Sequence, residues 1–212
     1  SLAKLALAPK PVYLSQHQRF QIDHWVEEKS LFELSHSQLS LTQSRQHLSS
    51  SNVYHYLAQR MAFIHQIEVI PELKLESLDL PSKLYEYMDL GEKYLSTNAE
   101  AAVKDITDVW YQAVNETSCL CHNDLSLQHV VLPPSRMVFD WEYAACSSPY
   151  FDIAASLIVN KTEVSDEEVF INSYASALNM SAAEVKQKVQ DMKSLAILTN
   201  QLWFAAAKAC EA

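Results

Sequence analysis

The stretch from Cys119 to Tyr150 constrains this chain more than any other part of it. It carries two aspartates, Asp124 after His122-Asn123 and Asp140 at the end of the apolar run Met137-Val138-Phe139. Between them, His129-Val130-Val131-Leu132 and Met137-Val138-Phe139 flank Pro133-Pro134-Ser135-Arg136. Two prolines followed by serine mark a turn. The apolar runs therefore predict two short antiparallel strands, a hairpin that returns Asp140 towards Asp124.

Two carboxylates brought together in this way suit phosphoryl transfer. One accepts the proton of the attacking hydroxyl, and the other holds the magnesium that bridges the nucleotide phosphates. Magnesium takes hard oxygen ligands and needs few of them from protein. A lone aspartate at a strand end more often caps a turn. The combination of H-N-D-L, hairpin and D-W-E-Y-A is what points to chemistry.

These residues, together with Pro149-Tyr150-Phe151-Asp152, resemble the choline kinase and aminoglycoside phosphotransferase group, small-molecule relatives of the protein kinases. The spelling Asp140-Trp141-Glu142-Tyr143-Ala144 is most similar to bacterial choline and thiamine kinases. The resemblance runs over residues 5–210 and is strongest over 119–155. It implies an α+β, protein-kinase-like fold with a small remnant antiparallel β lobe and a mostly helical large lobe. It implies ATP and Mg2+ as cofactors, Asp124 as catalytic base and Asp140 as magnesium ligand. His122, Asn123 and Asp152 would support the site, with Asp152 bracing the catalytic loop. Trp141, Glu142 and Trp203 would line the substrate pocket. An aromatic face attracts quaternary ammonium groups, although Trp203 also reads as an ordinary core residue. Asp23, His24 and Trp25 would form the hinge whose backbone holds adenine, with Glu28 where the family has glycine.

One position departs from the family pattern. An asparagine whose amide oxygen ligates metal is expected five residues after the catalytic aspartate, and here that residue is His129, preceded by Gln128. Imidazole nitrogen suits zinc or copper better than magnesium. Three readings stand: Gln128 supplies the oxygen, water replaces the ligand, or metal binding is weakened. A plain strand role for His129 is the fourth.

Composition sets the outer limits. The 212 residues are 49% hydrophobic, enough for a sizeable core. The net charge of −10 argues against a nucleic-acid partner. No apolar run is long enough for a membrane span, and the first residues make no convincing signal peptide. Four cysteines without a CxxC pair fit free thiols and a cytoplasmic location. Gly91 is the only glycine, so no glycine-rich phosphate loop can be built from this chain. The family's phosphate-pairing lysine is not assignable either, since Lys4 and Lys10 lie too near the start. The chain thus reads as a fragment of a longer protein or as a degenerate relative.

Taken in order, residues 12–15 and 20–26 predict two strands joined by a turn at 16–19. Residues 1–29 form the partial β lobe and hinge, and residues 30–212 the helical lobe. Ser51-Asn52 caps a helix with Val53, Leu57, Met61 and Ile64 on one face, ending near His65, which reads as structural. Pro71 and Pro81 bracket a loop. Further helices are expected over 82–94, 98–114, 151–159 and 165–178. Ser181 and Glu184 open a helical stretch to Cys210, as one helix or two. The function expected is ATP-dependent phosphorylation of a small alcohol, with choline, ethanolamine or thiamine favoured and the substrate cationic in that case. The alternative is a catalytically decayed kinase fold acting as a binding or regulatory module.

Overall fold

Side-chain caps decide where the helices begin. The structure, a computed structural model, describes residues 2–16, 21–36, 49–69, 75–95, 99–131, 135 and 137–211. Ser49 Oγ accepts the Asn52 N–H at 3.3 Å and opens α2 (Ser50–His65). The cap thus lies just before the expected Ser51-Asn52, and the expected face of Val53, Leu57, Met61 and Ile64 is buried. A reciprocal box that the sequence reading passed over opens α1 (Leu31–His36): Ser30 N–H donates to Glu33 Oε2 at 2.9 Å, and Glu33 N–H to Ser30 Oγ at 3.2 Å.

Asp79 caps α3 (Leu80–Gly91), with Pro81 in the first turn, so this helix starts earlier than expected. It gives way to a 3-10 turn at Glu92–Tyr94. Next comes α4 (Ala99–Glu116), which buries Val103 and Trp110. Pro149 starts α5 (Pro149–Val159), and Asp166 and Glu167 stand in the first turn of α6 (Val164–Ala177). Ser181 Oγ accepts the Glu184 N–H and opens α7 (Ala182–Cys210). The last stretch is one helix of 29 residues, because no glycine or proline interrupts it.

The first sheet pairs β1 (Pro11–Leu14) antiparallel with β2 (Gln21–Asp23). The second strand is shorter than the expected 20–26. Its partner ends at Pro11, opposite Asp23, so His24, Trp25 and Val26 have no strand to face. Much of the expected turn at 16–19 lies outside the described residues, as do Pro71, Pro133, Pro134, Arg136 and Asn98.

Among the described residues, the hairpin between the two aspartates is present as a single antiparallel bridge, Val130 to Val138, rather than two strands. Val131 N–H donates to Met137 O at 3.3 Å and Phe139 N–H to His129 O at 2.8 Å. Val138 N–H turns away to Leu7 O at 2.8 Å, so the N-terminal segment takes up that edge. The regular strand pair near the site is one that sequence patterning did not reveal: β3 (Cys119–Cys121) against β4 (Ala145–Ser147). Residues on the way to α3 join it, with Cys146 N–H donating to Glu76 O at 2.8 Å and Leu78 N–H to Cys146 O at 2.9 Å.

The core lies among the helices. α5 and α3 pack on α7, and α2 packs on α6. Trp110 meets Phe151 edge-on, ring centroids 5.2 Å apart, beside fully buried Phe170 and Tyr174. Each such side chain contributes about 1.5–3 kcal/mol by leaving water. Among the described residues, no helix is long and apolar enough to cross a membrane.

The lone glycine marks a close helix contact. A Cβ on Gly91 would lie 2.8 Å from the backbone and Cβ of Ala205 and from Ala206 N on α7. Backbone cannot retreat as a flexible side chain does. Gly91→Ala is therefore expected to destabilise the protein by about 1–3 kcal/mol through overpacking, despite alanine's better helix propensity. Urea unfolding checks this, and an unchanged or raised midpoint would contradict it.

Candidate active site

The loop after β3 is held from behind by one face of α5. Asp152, in the first turn of α5, is fully buried. Its Oδ1 accepts the Asn123 N–H at 2.8 Å, and its Oδ2 accepts the His122 N–H at 2.9 Å. The same Oδ2 accepts from His65 Nε2, on α2, at 3.0 Å. The other ring nitrogen, His65 Nδ1, hydrogen-bonds the Tyr174 hydroxyl at 2.7 Å. One turn further along α5, Ser156 Oγ donates to Leu125 O at 2.6 Å, and Asn160, at the C-cap of α5, accepts the Leu127 N–H at 2.8 Å. Asn160 Nδ2 also reaches Leu125 O at 3.2 Å. Residues 152, 156 and 160 share a face because four residues make roughly one helical turn. Burial pushes the Asp152 carboxyl up, but the hydrogen bond and charge of His65, with His122, outweigh it and hold the group below its ordinary value. Burial raises the Tyr174 phenol strongly.

In front of this brace stand Asp124, His129 and Asp140. Asp124 is half-buried, and burial raises its carboxyl, with His129 opposing and Asp140 adding to the shift. His129 Nδ1 lies 2.9 Å from Asp124 O, where it donates its proton. Its Nε2 lies 3.7 Å from Asp140 Oδ2. Asn123 and Asp140 both have left-handed backbone, φ 62° and 61°, which short polar side chains tolerate best after glycine. Asn123 Nδ2 donates to Tyr143 O at 2.9 Å, tying the loop to the 3-10 turn Trp141–Tyr143. His122 Nε2 donates to Phe139 O at 2.8 Å, and burial pushes its imidazole down towards the neutral form.

The sequence-predicted residues fall into three groups. Asp124, His129, Asp140, His122, Asn123 and Asp152 come together. Trp141 joins them, its ring 4.9 Å from His122 and its N–H donating to Val138 O at 2.8 Å. Glu142 is exposed beside it, and Gln128 is exposed next to His129. Trp203, on α7, donates to the Tyr143 hydroxyl at 3.0 Å. Tyr143 also hydrogen-bonds Tyr87, whose phenol is pushed up to about 12, chiefly by burial. The third group stands on the β hairpin: Asp23 accepts from Gln21 at 2.7 Å, and His24 and Trp25 follow it, Trp25 being 88% exposed. A cleft of about 820 Å3 opens beside Asp124, lined also by Phe32, Tyr54, Gln128, His129 and Asn160.

Sequence reasoning missed Ser156, Asn160, Tyr174, Tyr87 and Tyr143. The first two left a signal, polar residues at four-residue spacing after Asp152 in an otherwise apolar helix. The tyrosines left none, because their partners are far away in the chain. As for metal, the Asp140 carboxylate is a hard oxygen donor that suits magnesium, whereas His129 Nε2 is a nitrogen donor that does not. The donor set fits magnesium only in part.

This arrangement is that of a kinase-like phosphotransferase. The chain belongs to the phosphotransferase enzyme family (APH), whose profile matches residues 2–183. It is 28% identical over 130 residues to Protein LicA of Haemophilus influenzae, a match covering 58% of this chain and 48% of that protein. The chain thus spans less than half the length of the curated relatives it matches. Among solved structures, a choline/ethanolamine kinase family protein from Mesorhizobium loti superposes with a TM-score of 0.71 at 14% identity, over 99% of this chain and 69% of that one. The choline kinase LicA from Streptococcus pneumoniae gives 0.67 at 18% identity, over 99% and 69%. At these identities the structures establish the protein-kinase-like fold.

The brace generates a pH-dependent prediction. Asp152 has a depressed folded pKa, so its stabilisation is complete above the unfolded value of about 3.9 and is lost as pH falls through the folded value. Asp152→Ala is expected to cost about 3–5 kcal/mol at pH 7. The gap to wild type should narrow below about pH 4. Urea unfolding at pH 7 and pH 3 measures both, and a gap that widens in acid would contradict the assignment.

Proposed function

We propose that this protein transfers the γ-phosphoryl group of ATP to the hydroxyl of a small cationic alcohol of the choline, ethanolamine or thiamine kind. The observation that carries the reading is the pair Asp124 and Asp140, on a loop and hairpin fixed by the buried Asp152. Asp124 accepts the proton of the substrate hydroxyl. Burial raises its pKa, which makes it a better base. Asp140 holds the cation that accompanies the nucleotide, and such a cation neutralises phosphate charge when bound. The brace keeps the loop from moving, so positioning supplies a large part of the rate.

The hinge role falls to the backbone of Asp23, His24 and Trp25. Adenine nucleotide as donor is supported by the family and by a LicA structure in complex with AMP, whose identity to this chain is 16%. Glu142, Tyr143, Tyr87 and Trp203 receive the cationic end of the substrate. Support for a cation comes from this aromatic, acidic neighbourhood and from relatives named as choline and ethanolamine kinases. A second reading, a binding module that does not turn over, draws on one observation, His129 at the expected asparagine position. Phosphorus NMR of the protein with ATP and each alcohol separates the two: a phosphomonoester product supports the kinase, and nucleotide binding without product supports the module.

Asp124→Asn is expected to lower turnover by about 10²–10⁴-fold while leaving nucleotide affinity nearly unchanged. Wild-type turnover should fall in acid as Asp124 protonates, with an apparent pKa above the ordinary carboxylate value of about 3.9. Steady-state kinetics from pH 4 to 8 and calorimetry with nucleotide check this, and wild-type turnover in the variant would refute it.

Trp203 gives a separate test of the cationic end. Trp203→Ala should raise KM for a quaternary ammonium alcohol by about 2- to 30-fold, the loss of one cation–π contact. KM for ATP should not move. Equal KM values for the alcohol in both proteins would return Trp203 to a purely structural role.

A further inference from the structure

We propose that the Asp140 site takes a divalent transition-metal ion of the manganese and zinc kind in preference to magnesium, through His129 Nε2 and Asp140 Oδ2. The starting observation is the orientation of the imidazole. His129 Nδ1 donates to the Asp124 carbonyl at 2.9 Å, which fixes the tautomer and leaves the Nε2 lone pair as the free donor. Metal-ligating histidines are held in this way, one ring nitrogen on a backbone carbonyl and the other on the ion. Nε2 stands 3.7 Å from Asp140 Oδ2, beyond the roughly 2.7–3.2 Å of a direct hydrogen bond. Two ligands bound at about 2.1 Å to one ion lie about 3–3.5 Å apart, so a small rotamer adjustment brings both onto a shared ion.

The ring has further support. It stacks on His122, centroids 5.8 Å apart at 26°, and its side chain is only 18% exposed. Asp140 is half-exposed and set in left-handed backbone at the end of the hairpin. An ion there meets one carboxylate and one imidazole, with water completing the shell. Magnesium gives up hydration reluctantly and only for hard oxygen. Manganese and zinc accept imidazole with carboxylate, and zinc lies above manganese in the general affinity order. The nitrogen donor thus shifts the preference along the series.

The inference rests on the phosphotransferase reading for what the ion does, but not for whether it binds. Manganese alone, without nucleotide, is the probe. Titration of Mn2+ into the protein, followed by loss of the free-ion paramagnetic resonance signal, gives affinity. Electron spin-echo modulation then reports whether a nitrogen is bonded directly to the ion. Expected are a directly bonded nitrogen in wild type, loss of that nitrogen in His129→Asn, and at least about a tenfold fall in Mn2+ affinity in the variant. Equimolar Mg2+ should leave Mn2+ bound to wild type and displace it more readily from His129→Asn. Should His129→Asn not fold by circular dichroism, His129→Gln replaces it, and the wild-type nitrogen signal decides on its own.

Absence of Mn2+ binding, absence of bonded nitrogen in wild type, or a nitrogen that persists in the folded variant would overturn the proposal. Magnesium-supported turnover without bonded nitrogen would sink this inference and leave the kinase reading standing. Bonded nitrogen without phosphoryl transfer would do the reverse.

Discussion

Everything at the site leans on one buried carboxylate. Asp152 is fully buried, and its oxygens meet three protein donors: two consecutive backbone N–H groups and the His65 ring. A buried charge left without partners is strongly destabilising. The loop from His122 onward is therefore not free to drift, because drifting would strip Asp152 of two donors at once. The same carboxylate joins α5 to α2, and through His65 and Tyr174 to α6. Three helices and the loop after β3 thereby share one polar network within an apolar core.

The front of the site is built differently. Asp124 and Asp140 are partly open to solvent, with Asp140 Oδ2 3.7 Å from His129 Nε2. Two left-handed residues, Asn123 and Asp140, turn the chain at the loop and at the end of the hairpin. Rigid support behind and exposed carboxylates in front is the arrangement that positioning catalysis requires. The aromatic group of Trp203, Tyr143 and Tyr87 is tied to the same loop through Asn123 and the Tyr143 carbonyl. The aromatic group and the loop after β3 are thus mechanically connected.

His129 is where this chain differs from the pattern it resembles. An asparagine would present an amide oxygen at that place. Histidine presents a nitrogen, and the Asp124 carbonyl decides which one. A nitrogen donor in place of an oxygen one is what the proposed change of ion rests on.

The sequence by itself determined the helices of the large lobe, because apolar spacing and caps such as Ser181 act within a turn or two of chain. It also determined the two aspartates and the crossing between them, since H-N-D-L, the proline turn and D-W-E-Y-A are contiguous. The helix face of Asp152, Ser156 and Asn160 was legible too, although only as a spacing whose purpose needed the loop in front of it. Tertiary structure alone decided the rest. The β3–β4 pair joins residues far apart in sequence, each strand only three residues long, too short for an alternating pattern to show. The Tyr174–His65–Asp152 chain joins three helices, and the Trp203–Tyr143 bond spans sixty residues. Leu7, from the other end of the chain, takes the Val138 N–H on the outer edge of the hairpin. Such contacts depend on which surfaces meet after packing, and local spacing carries no record of that.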